Sequence, residues 1–312
     1  MKTFKKLLLV SLFFVIDCKI WPLQGEKMNK EFKSKTEIND VFFHFIHAII
    51  DEDTYNAIKE SNFLKNEFCN GQEKTHTGES SDHAKTSWTG FYLTGENTYI
   101  QIFNSKDQNS LKKLNVGRIG IEFMVEQKED LEKITKNFKQ KFTNNLSHGI
   151  FKKNIDNIQV PWFYYLDDSS MMPELDTMIM AYLNDYLKFK NIEPHAKDSI
   201  TRKEYNKTCN AVPFDKEKLF KDIEEITLLL NNENKRKFVE RLTLLNYICE
   251  EAENYVICRG PGITFKLNEF NEQTCRLLKL QMSLNHKIND PLLYKLGNST
   301  INLKDYTAIW TF

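Results

Sequence analysis

Four polar side chains interrupt otherwise apolar stretches of the sequence, and they are its first candidates for chemistry. His44 and His47 occur in DVFFHFIHAIID, Gln101 in NTYIQIFN, and Glu122 in GRIGIEFMV. Imidazole and carboxylate groups bind divalent cations and transfer protons, whereas an amide holds a ligand through hydrogen bonds. Buried histidines and amides are also commonly core residues whose hydrogen bonds are made within the protein. The sequence leaves both interpretations open, a ligand site and a filled core.

The residues around Gln101 predict a β-hairpin that places this amide between two aromatic rings. The stretch WTGFYLTGENTYIQIFN, residues 88–104, has two apolar runs on either side of the turn-forming sequence TGEN. Side chains alternate in direction along a strand, so Tyr99, Gln101 and Phe103 share one face. Gln101 is therefore either an ordinary polar residue at the edge of a sheet or what remains of a metal or substrate site.

The same alternation constrains the other candidates. In a regular strand His44 and His47 point to opposite faces, so only one of them can enter a given site, and the sequence does not say which. Glu122 shares its face with Gly120 and is a further candidate for the site.

The composition argues against one class of partner. Lys and Arg together number 43, as do Asp and Glu, so the formal net charge is zero. Nucleic-acid-binding proteins usually carry a basic excess or a basic stripe, and we therefore expect no nucleic-acid partner. The sequence contains no GxSxG, P-loop, GxGxxG or HExxH motif that would indicate a reaction class.

The predicted elements follow a repeated order, which is a strand, a helix and then two or three strands. Apolar runs with strand alternation are separated by amphipathic helices such as QKEDLEKITKNFKQKF, and a fourth round begins at CRLLKLQMSL. This order predicts an α+β fold in which repeated βαβββ modules form curled mixed sheets; a generic α+β domain without a true repeat is the alternative. We place a first domain with two modules at residues 38–190, a connection at 191–213, and a second, smaller domain at 214–312.

The N-terminus predicts export. Residues 1–18 begin with a lysine-rich segment and continue into an apolar run from Leu7 to Ile16, which has the length and flanks of a signal peptide. Cys18 follows this run directly and is a candidate for lipidation at the cell envelope; plain secretion after cleavage near Gln24 and Gly25 is the alternative. Residues 19–37 are polar and predict a linker. A lipid anchor at Cys18 would be the protein's link to a membrane.

The remaining cysteines show no spacing typical of a zinc ribbon or a redox motif. Cys249 and Cys258 flank a predicted hairpin, and they are candidates for a disulfide that the sequence alone does not establish. We expect the other cysteines to be small buried apolar residues.

Several stretches resemble a known group of proteins. They are DEDTYNAIKESNFLKNEF, SWTGFYLTGENTYIQIF, GRIGIEF and GNSTINLKDYTAIWTF. In these stretches the chain resembles an uncharacterised glyoxalase-like family of the vicinal-oxygen-chelate superfamily, which also contains glyoxalase, bleomycin-resistance proteins and extradiol dioxygenases. The resemblance covers most of residues 38–312. It implies cup-shaped sheets, each built from two βαβββ modules, and in some members a divalent cation held inside the cup.

The metal ligands that the resemblance implies are incomplete in this sequence. The first histidine position falls on His44 or His47, and the following glutamate position falls on Gln101, which has no carboxylate. The matching positions of the second module fall at or near Gly120 and near Ala181, neither of which has a ligand atom. An intact metal site is therefore not favoured, although a divalent metal is not excluded as a cofactor.

These observations predict an exported protein that binds a small organic ligand in an aromatic-lined cup without an intact metal site. The alternative is a divalent-metal-dependent lyase, isomerase or dioxygenase of the vicinal-oxygen-chelate type. The predicted ligand-binding residues are His44, His47, Trp88, Tyr99, Gln101, Phe103 and Glu122.

Overall fold

The protein has an α+β fold dominated by strands. The computed structural model describes residues 40–79, 85–107, 115–142, 146–167, 172, 174–193, 200–270 and 275–312. Residues 38–312 make one compact unit. The predicted signal peptide, Cys18 and the predicted linker lie outside the described residues. No helix in the described part of the chain is long and apolar enough to cross a membrane.

The first βαβββ module follows the predicted order closely. Its elements are β1 (Phe42–Ile50), α1 (Glu52–Glu60), a π-helical turn (Leu64–Phe68), β2 (Gln72–Glu79), β3 (Lys85–Thr94) and β4 (Tyr99–Asn104). Asp51 begins α1 as its N-cap, because its carboxylate accepts a hydrogen bond from the Thr54 backbone nitrogen at 2.9 Å. The predicted hairpin is confirmed, since β3 and β4 pair antiparallel around residues 95–98.

The second module repeats this order, and two short helices follow it. Its elements are β5 (Ile119–Met124), α2 (Lys128–Lys141), β6 (Ser147–Ile155), β7 (Ile158–Asp167) and β8 (Leu175–Tyr182), followed by α3 (Asn184–Phe189) and α4 (Arg202–Thr208). In both modules the first strand pairs parallel to the last, β1 with β4 and β5 with β8.

The two modules close into a single barrel. The strand order around it is β1, β4, β3, β2, β6, β7, β8 and β5, and the circle is completed by antiparallel pairing of β1 with β5. A closed barrel has an inner face and an outer face, and side chains along each strand point alternately into the barrel and out of it. The predicted curled mixed sheet is thus confirmed, with its inner face as the natural place for a cavity.

A third module builds a separate six-stranded sheet. Its elements are β9 (Phe220–Leu230), α5 (Asn232–Leu244), β10 (Ile248–Glu251), β11 (Tyr255–Gly260) and β12 (Ile263–Glu269), and it is extended by β13 (Arg276–Leu296) and β14 (Ser299–Thr311). The predicted fourth round is wrong in its helix: β13 and β14 form a long hairpin that pairs with β9. Cys249 and Cys258, which the sequence offered as candidates, form a disulfide across β10 and β11.

The barrel and the six-stranded sheet share one hydrophobic core. Phe265 of β12 packs edge-on against Phe43 of β1, with ring centroids 6.0 Å apart. Tyr247 directly precedes β10, and its hydroxyl donates a hydrogen bond to the Val41 carbonyl oxygen at 3.1 Å. The six-stranded sheet therefore packs against the outer face of the barrel at β1, while the residues inside the barrel belong to a separate cluster. The predicted domain limits stay a prediction.

Candidate functional site

The interior of the barrel contains a cavity of about 470 Å³. Its wall is mainly aromatic, and the rings that line it are Phe45, Trp88, Tyr99, Phe103, Phe151, Trp162, Phe163, Tyr165 and Tyr182. Met178 and Met180 of β8 add flexible apolar surface. The polar lining residues are His47, Thr86, Gln101, Glu122, Ser147 and Asp167. A mostly apolar wall with a few polar groups is typical of a site for a small organic molecule.

Hydrogen bonds and stacking hold the aromatic wall in place. The ring of Phe45 stacks on that of Tyr99 with centroids 4.3 Å apart. The Trp88 indole nitrogen donates to the hydroxyl of Tyr92 at 3.0 Å, which fixes the indole at the edge of the cavity. Rings fixed in this way present a preformed surface, so little side-chain entropy is lost when a ligand packs against them.

His44 lies beyond the cavity, in a buried cluster of rings. Its Nε2 atom is 3.2 Å from the hydroxyl of Tyr182, whose ring stacks on that of Tyr205 from α4 at 3.7 Å. Burial, with a smaller contribution from Arg202, lowers the pKa of His44 to about 3. His44 is therefore neutral at physiological pH and supports the wall of the cavity without lining it.

Of the two histidines of β1, only His47 lines the cavity. The pairing of β1 with β5 shifts register between Phe43 and Phe45, so the alternation is interrupted at His44. The ring of His44 consequently packs against Tyr99, whose side chain lines the cavity, with centroids 4.9 Å apart. DVFFHFIHAIID contains no glycine or turn residue at His44 that would indicate this irregularity.

His47 and Glu122 are neighbouring polar residues in the lining of the cavity. The Nδ1 atom of His47 is 3.5 Å from Oε1 of Glu122. The side chain of Glu122 is almost fully buried, and its Oε2 atom finds no hydrogen-bond partner among the described residues. Burial raises the pKa of Glu122 to about 7, although the neighbouring His47 acts in the opposite direction. This carboxyl group can thus gain or lose a proton near neutral pH.

Asp176 is the neighbour that sequence reasoning missed. The strand register pairs His47 with Gly120, and Gly120 with Asp176, so Asp176 rather than Ala181 occupies the position that matches Gln101. Its carboxylate accepts two hydrogen bonds from the guanidinium of Arg118, at 2.9 and 2.7 Å. The pairing of β5 with β8 reveals that Asp176 matches Gln101, but a single sequence does not show which strands are neighbours.

Gly120 makes room for the imidazole of His47. A Cβ atom at Gly120 would collide with the His47 ring. The space that a second-module side chain would fill is therefore taken by a side chain of the first module.

The residues present do not fit the metal site that the resemblance implies. His47 has Glu122 near Nδ1 and Asp176 near Nε2, 3.8 Å away, so the two carboxylates lie across the imidazole from each other and do not converge on one point. Asp176 is already engaged by Arg118, and Gln101 carries no charge. Within the described residues, no group of three or more His, Cys, Asp and Glu side chains is arranged to hold a metal ion.

Six of the seven predicted ligand-binding residues line the cavity. They are His47, Trp88, Tyr99, Gln101, Phe103 and Glu122, and only His44 lies behind it. The walls contributed by β6, β7 and β8 were not predicted, because WFYYL and TMIMAYL are apolar on both faces and hide which side chains turn inward. A bulge at Phe151 and Lys152 further changes the alternation there.

Comparison with known families gives one match. The model of a family of unknown function, DUF5829, matches residues 43–312. A comparison with the curated proteins finds no match.

Solved structures with a related arrangement differ widely in sequence. A hypothetical protein from Staphylococcus aureus is 12% identical, with a TM-score of 0.47 over 84% of this chain and 98% of the other. An extradiol ring-cleaving dioxygenase from B. fuscum is 10% identical, with a TM-score of 0.39 over 89% of this chain and 74% of the other. A mutant 4-hydroxymandelate synthase from Streptomyces coelicolor is 9% identical, with a TM-score of 0.37 over 74% of this chain and 63% of the other. Similarity at this level carries no argument about activity.

Proposed function

Since the chain belongs to the family of unknown function DUF5829, we propose its function from the barrel cavity itself: it binds a small organic molecule in an aromatic-lined cup, without a metal ion. The observation that carries the proposal is a cavity of about 470 Å³ with a mainly aromatic wall and a few polar lining groups. Cavities of roughly 300–1,000 Å³ with this distribution of polar groups are typical of ligand sites.

Burial of the rings favours a planar or aromatic ligand body. Tyr99 and Phe163 are more than nine-tenths buried, yet both still border the cavity. A ligand ring between such walls gains from the area that it removes from water and from edge and face contacts with the rings. Gln101, His47 and Glu122 then orient the ligand through hydrogen bonds at one end.

The relation to glyoxalase-like proteins of the vicinal-oxygen-chelate superfamily is part of this proposal. Its support is the pairing of two βαβββ modules into one curled sheet, together with the sequence stretches that carry the resemblance. Export is part of it too, with a lipid anchor at Cys18 or plain secretion as its two forms. The disulfide between Cys249 and Cys258 supports export, because stable disulfides form mainly in oxidising compartments.

Binding of an uncharged aromatic probe tests the proposed function. N-phenyl-1-naphthylamine becomes fluorescent when it leaves water, and we expect saturable binding with a Kd of about 1–50 µM for a ligand of this size. Met178→Trp should weaken binding at least about tenfold, because Met178 lines the cavity and the larger indole would fill it. Leu293→Trp adds the same ring at an exposed position on β13 and should leave binding unchanged. Saturable binding that Met178→Trp does not weaken would place the probe elsewhere and contradict the proposal.

A thermal-shift series tests the metal-dependent alternative. Metal-stripped protein is heated alone and with Zn²⁺, Mn²⁺, Ni²⁺ or Fe²⁺, and we expect no specific rise in Tm, because the donors around His47 do not converge. A tightly bound ion at tens of times its Kd adds about 2 kcal/mol, which is a rise of a few degrees. Such a rise, abolished by His47→Ala, would restore the metal-dependent lyase, isomerase or dioxygenase.

A further inference from the structure

We propose that the ligand of this cup is an organic cation, an amine or quaternary ammonium group attached to an aromatic or apolar body. The inference rests on the proposed function and adds the charge class of the ligand. It follows from three features of the cavity, which are the sign of its charges, an unpartnered buried carboxylate oxygen, and the arrangement of its rings.

The charged groups of the cavity are acidic. Glu122 and Asp167 line it, while Asp176, which is 3.8 Å from Nε2 of His47, is paired with Arg118. Among the described residues, no lysine or arginine lines this cavity. An anionic ligand would be repelled by ionised carboxylates in this lining, whereas a cation would be attracted by them.

The buried carboxyl group of Glu122 leaves one position for a ligand. Oε1 faces His47, and Oε2 has no hydrogen-bond partner within the described part of the chain. A buried carboxylate without full compensation is costly, and a positive group beside it offsets that cost. The N–H of a protonated amine placed at Oε2 would complete the hydrogen bonds of Glu122 and compensate its charge, whereas a quaternary ammonium group would compensate the charge alone.

The rings of the cup also favour a cation. Electron-rich faces of Trp and Tyr attract ammonium groups within about 6 Å of the ring centroid. The protein already uses this interaction beside the cavity, where the Lys153 ammonium lies 4.2 Å from the Trp162 ring centroid and 5.7 Å from that of Tyr186. Lys153 itself is not a lining residue, so its charge does not occupy the cavity.

The charges around Glu122 fix the expected pH dependence. It faces His47 from β1, Tyr99 from β4, Asp167 from β7 and Asp176 from β8. A bound cation favours the ionised carboxylate, so binding releases a proton from Glu122 when this group is protonated in the free protein. With the pKa of Glu122 at about 7, the apparent affinity should rise about tenfold between pH 6 and pH 8.

The test compares two probes of the same shape. Benzyltrimethylammonium and neopentylbenzene differ only in a charged nitrogen and a neutral carbon, and each is used to displace N-phenyl-1-naphthylamine from the full chain. At pH 8 we expect the cation to displace the dye at a concentration at least about tenfold lower than its neutral isostere, as for a desolvated cation–π and carboxylate contact. Phenylacetate, an anion of similar size, should displace it least.

Substitution of Glu122 and a pH series test whether this carboxyl group causes the preference for the cation. Glu122→Gln keeps the shape of the side chain, and we expect it to reduce the preference for the cation to less than about threefold and to flatten the rise in affinity between pH 6 and pH 8. Glu224→Gln, at an exposed position on β9, should change neither result. If Glu122→Gln fails to fold, the pH series on the unmodified protein still tests whether cation binding depends on an ionised carboxyl group.

The outcomes separate this inference from the proposed function. Equal displacement by the cation and its isostere, or tighter binding of phenylacetate, overturns the cation inference and leaves the binding function intact. An affinity for benzyltrimethylammonium that falls as the pH rises has the same consequence. A protein that binds no dye at all overturns the proposed function, and the cation inference with it.

Discussion

At the scale of single residues, Glu122 is the cavity-lining carboxyl group whose pKa is raised by burial. A carboxyl group in an apolar pocket keeps its proton at higher pH, because its charged form is poorly solvated there. Perturbed carboxyl groups of this kind cluster in binding and catalytic sites, although buried structural carboxyls are shifted as well. At Glu122 the shift coincides with a position on the cavity wall and with an oxygen that has no partner among the described residues.

The raised pKa of Glu122 predicts a pH-dependent loss of stability. In the unfolded chain Glu122 has an ordinary pKa of 4.5, whereas in the folded protein it is about 7. Between these values the unfolded chain has lost a proton that the folded protein keeps, so the free energy of unfolding falls as the pH rises. Glu122→Gln does not titrate, and its stability relative to the unmodified protein should increase by about 3 kcal/mol between pH 4 and pH 8. Urea denaturation at intervals of half a pH unit measures this difference.

The comparison needs a control for the other titrating groups. Glu224→Gln removes an exposed carboxyl group, and its stability difference from the unmodified protein should be the same at pH 4 and pH 8. A difference for Glu122→Gln that stays constant with pH would show that Glu122 titrates at its ordinary pKa and is well solvated.

At the scale of elements, one carboxylate connects the hairpin of the cup to the six-stranded sheet. Asp222 of β9 accepts hydrogen bonds from the backbone nitrogens of Asn97 and Thr98, at 2.7 and 2.9 Å. It also accepts from the Asn97 side-chain amide at 2.8 Å and from the Thr98 hydroxyl at 3.1 Å. The turn between β3 and β4 is therefore held in place by a strand of the other sheet.

Asp222→Ala should destabilise the protein by about 3 kcal/mol. The substitution leaves two backbone N–H groups without their acceptor, and an unsatisfied buried donor costs about 1–3 kcal/mol. Glu224→Ala removes a carboxylate two residues along the same strand, where the side chain is exposed, and it should cost less than about 0.5 kcal/mol. Chemical denaturation of both variants checks the pair, and equal effects would mean that Asp222 does not hold the turn.

Most elements could be predicted from the sequence, because their apolar residues recur with a clear period. Strand β1, the β3–β4 hairpin and helix α2 lie where the alternation and the helical stripe place them. Strand β6 was not predicted, since SHGIFKKNI is half-exposed and mixes lysines with apolar residues. Its turn gave a usable signal in Asp156 and Asn157, which both have positive φ, as hairpin turns with Asp and Asn often do.

The site was predictable only where it depends on one strand at a time. The face shared by Tyr99, Gln101 and Phe103 follows from alternation alone, and all three line the cavity. Asp176 became a neighbour of His47 only through the pairing of β1 with β5 and of β5 with β8, which no local pattern reveals. Register between strands far apart in sequence is a property of the closed barrel, and a single sequence does not encode it in any short window.

At the scale of the whole molecule, the barrel and the six-stranded sheet depend on the same core. Phe265 is fully buried at their junction and contacts Phe43 and Phe123 of the barrel, with centroids 6.0 and 6.1 Å apart. On its other side it contacts Phe238 of α5 at 5.5 Å. A core shared in this way should couple the unfolding of the two sheets, because unfolding of one sheet exposes the apolar surface of the other to water.

The tryptophans allow this coupling to be tested. Two variants are needed, and Trp21 is replaced by Phe in both. In the first, Trp88 and Trp162 are also replaced by Phe, so the remaining Trp310 reports on the six-stranded sheet. In the second, Trp310 is replaced by Phe, so Trp88 and Trp162 report on the barrel. We expect the two fluorescence transitions in urea to have the same midpoint, as for a single cooperative unit.

Phe265→Ala should then move both transitions together. Removing a fully buried phenylalanine costs about 3–5 kcal/mol, and the shared core distributes that loss over both sheets. Leu293→Ala, at a position 70% exposed on β13, is the matched control and should move neither midpoint. A Phe265→Ala protein whose Trp310 transition moves to lower urea while its barrel transition stays in place would show that the barrel folds independently. The cup could then be studied apart from the sheet, whereas coincident shifts mean that ligand binding in the barrel stabilises the whole of residues 38–312.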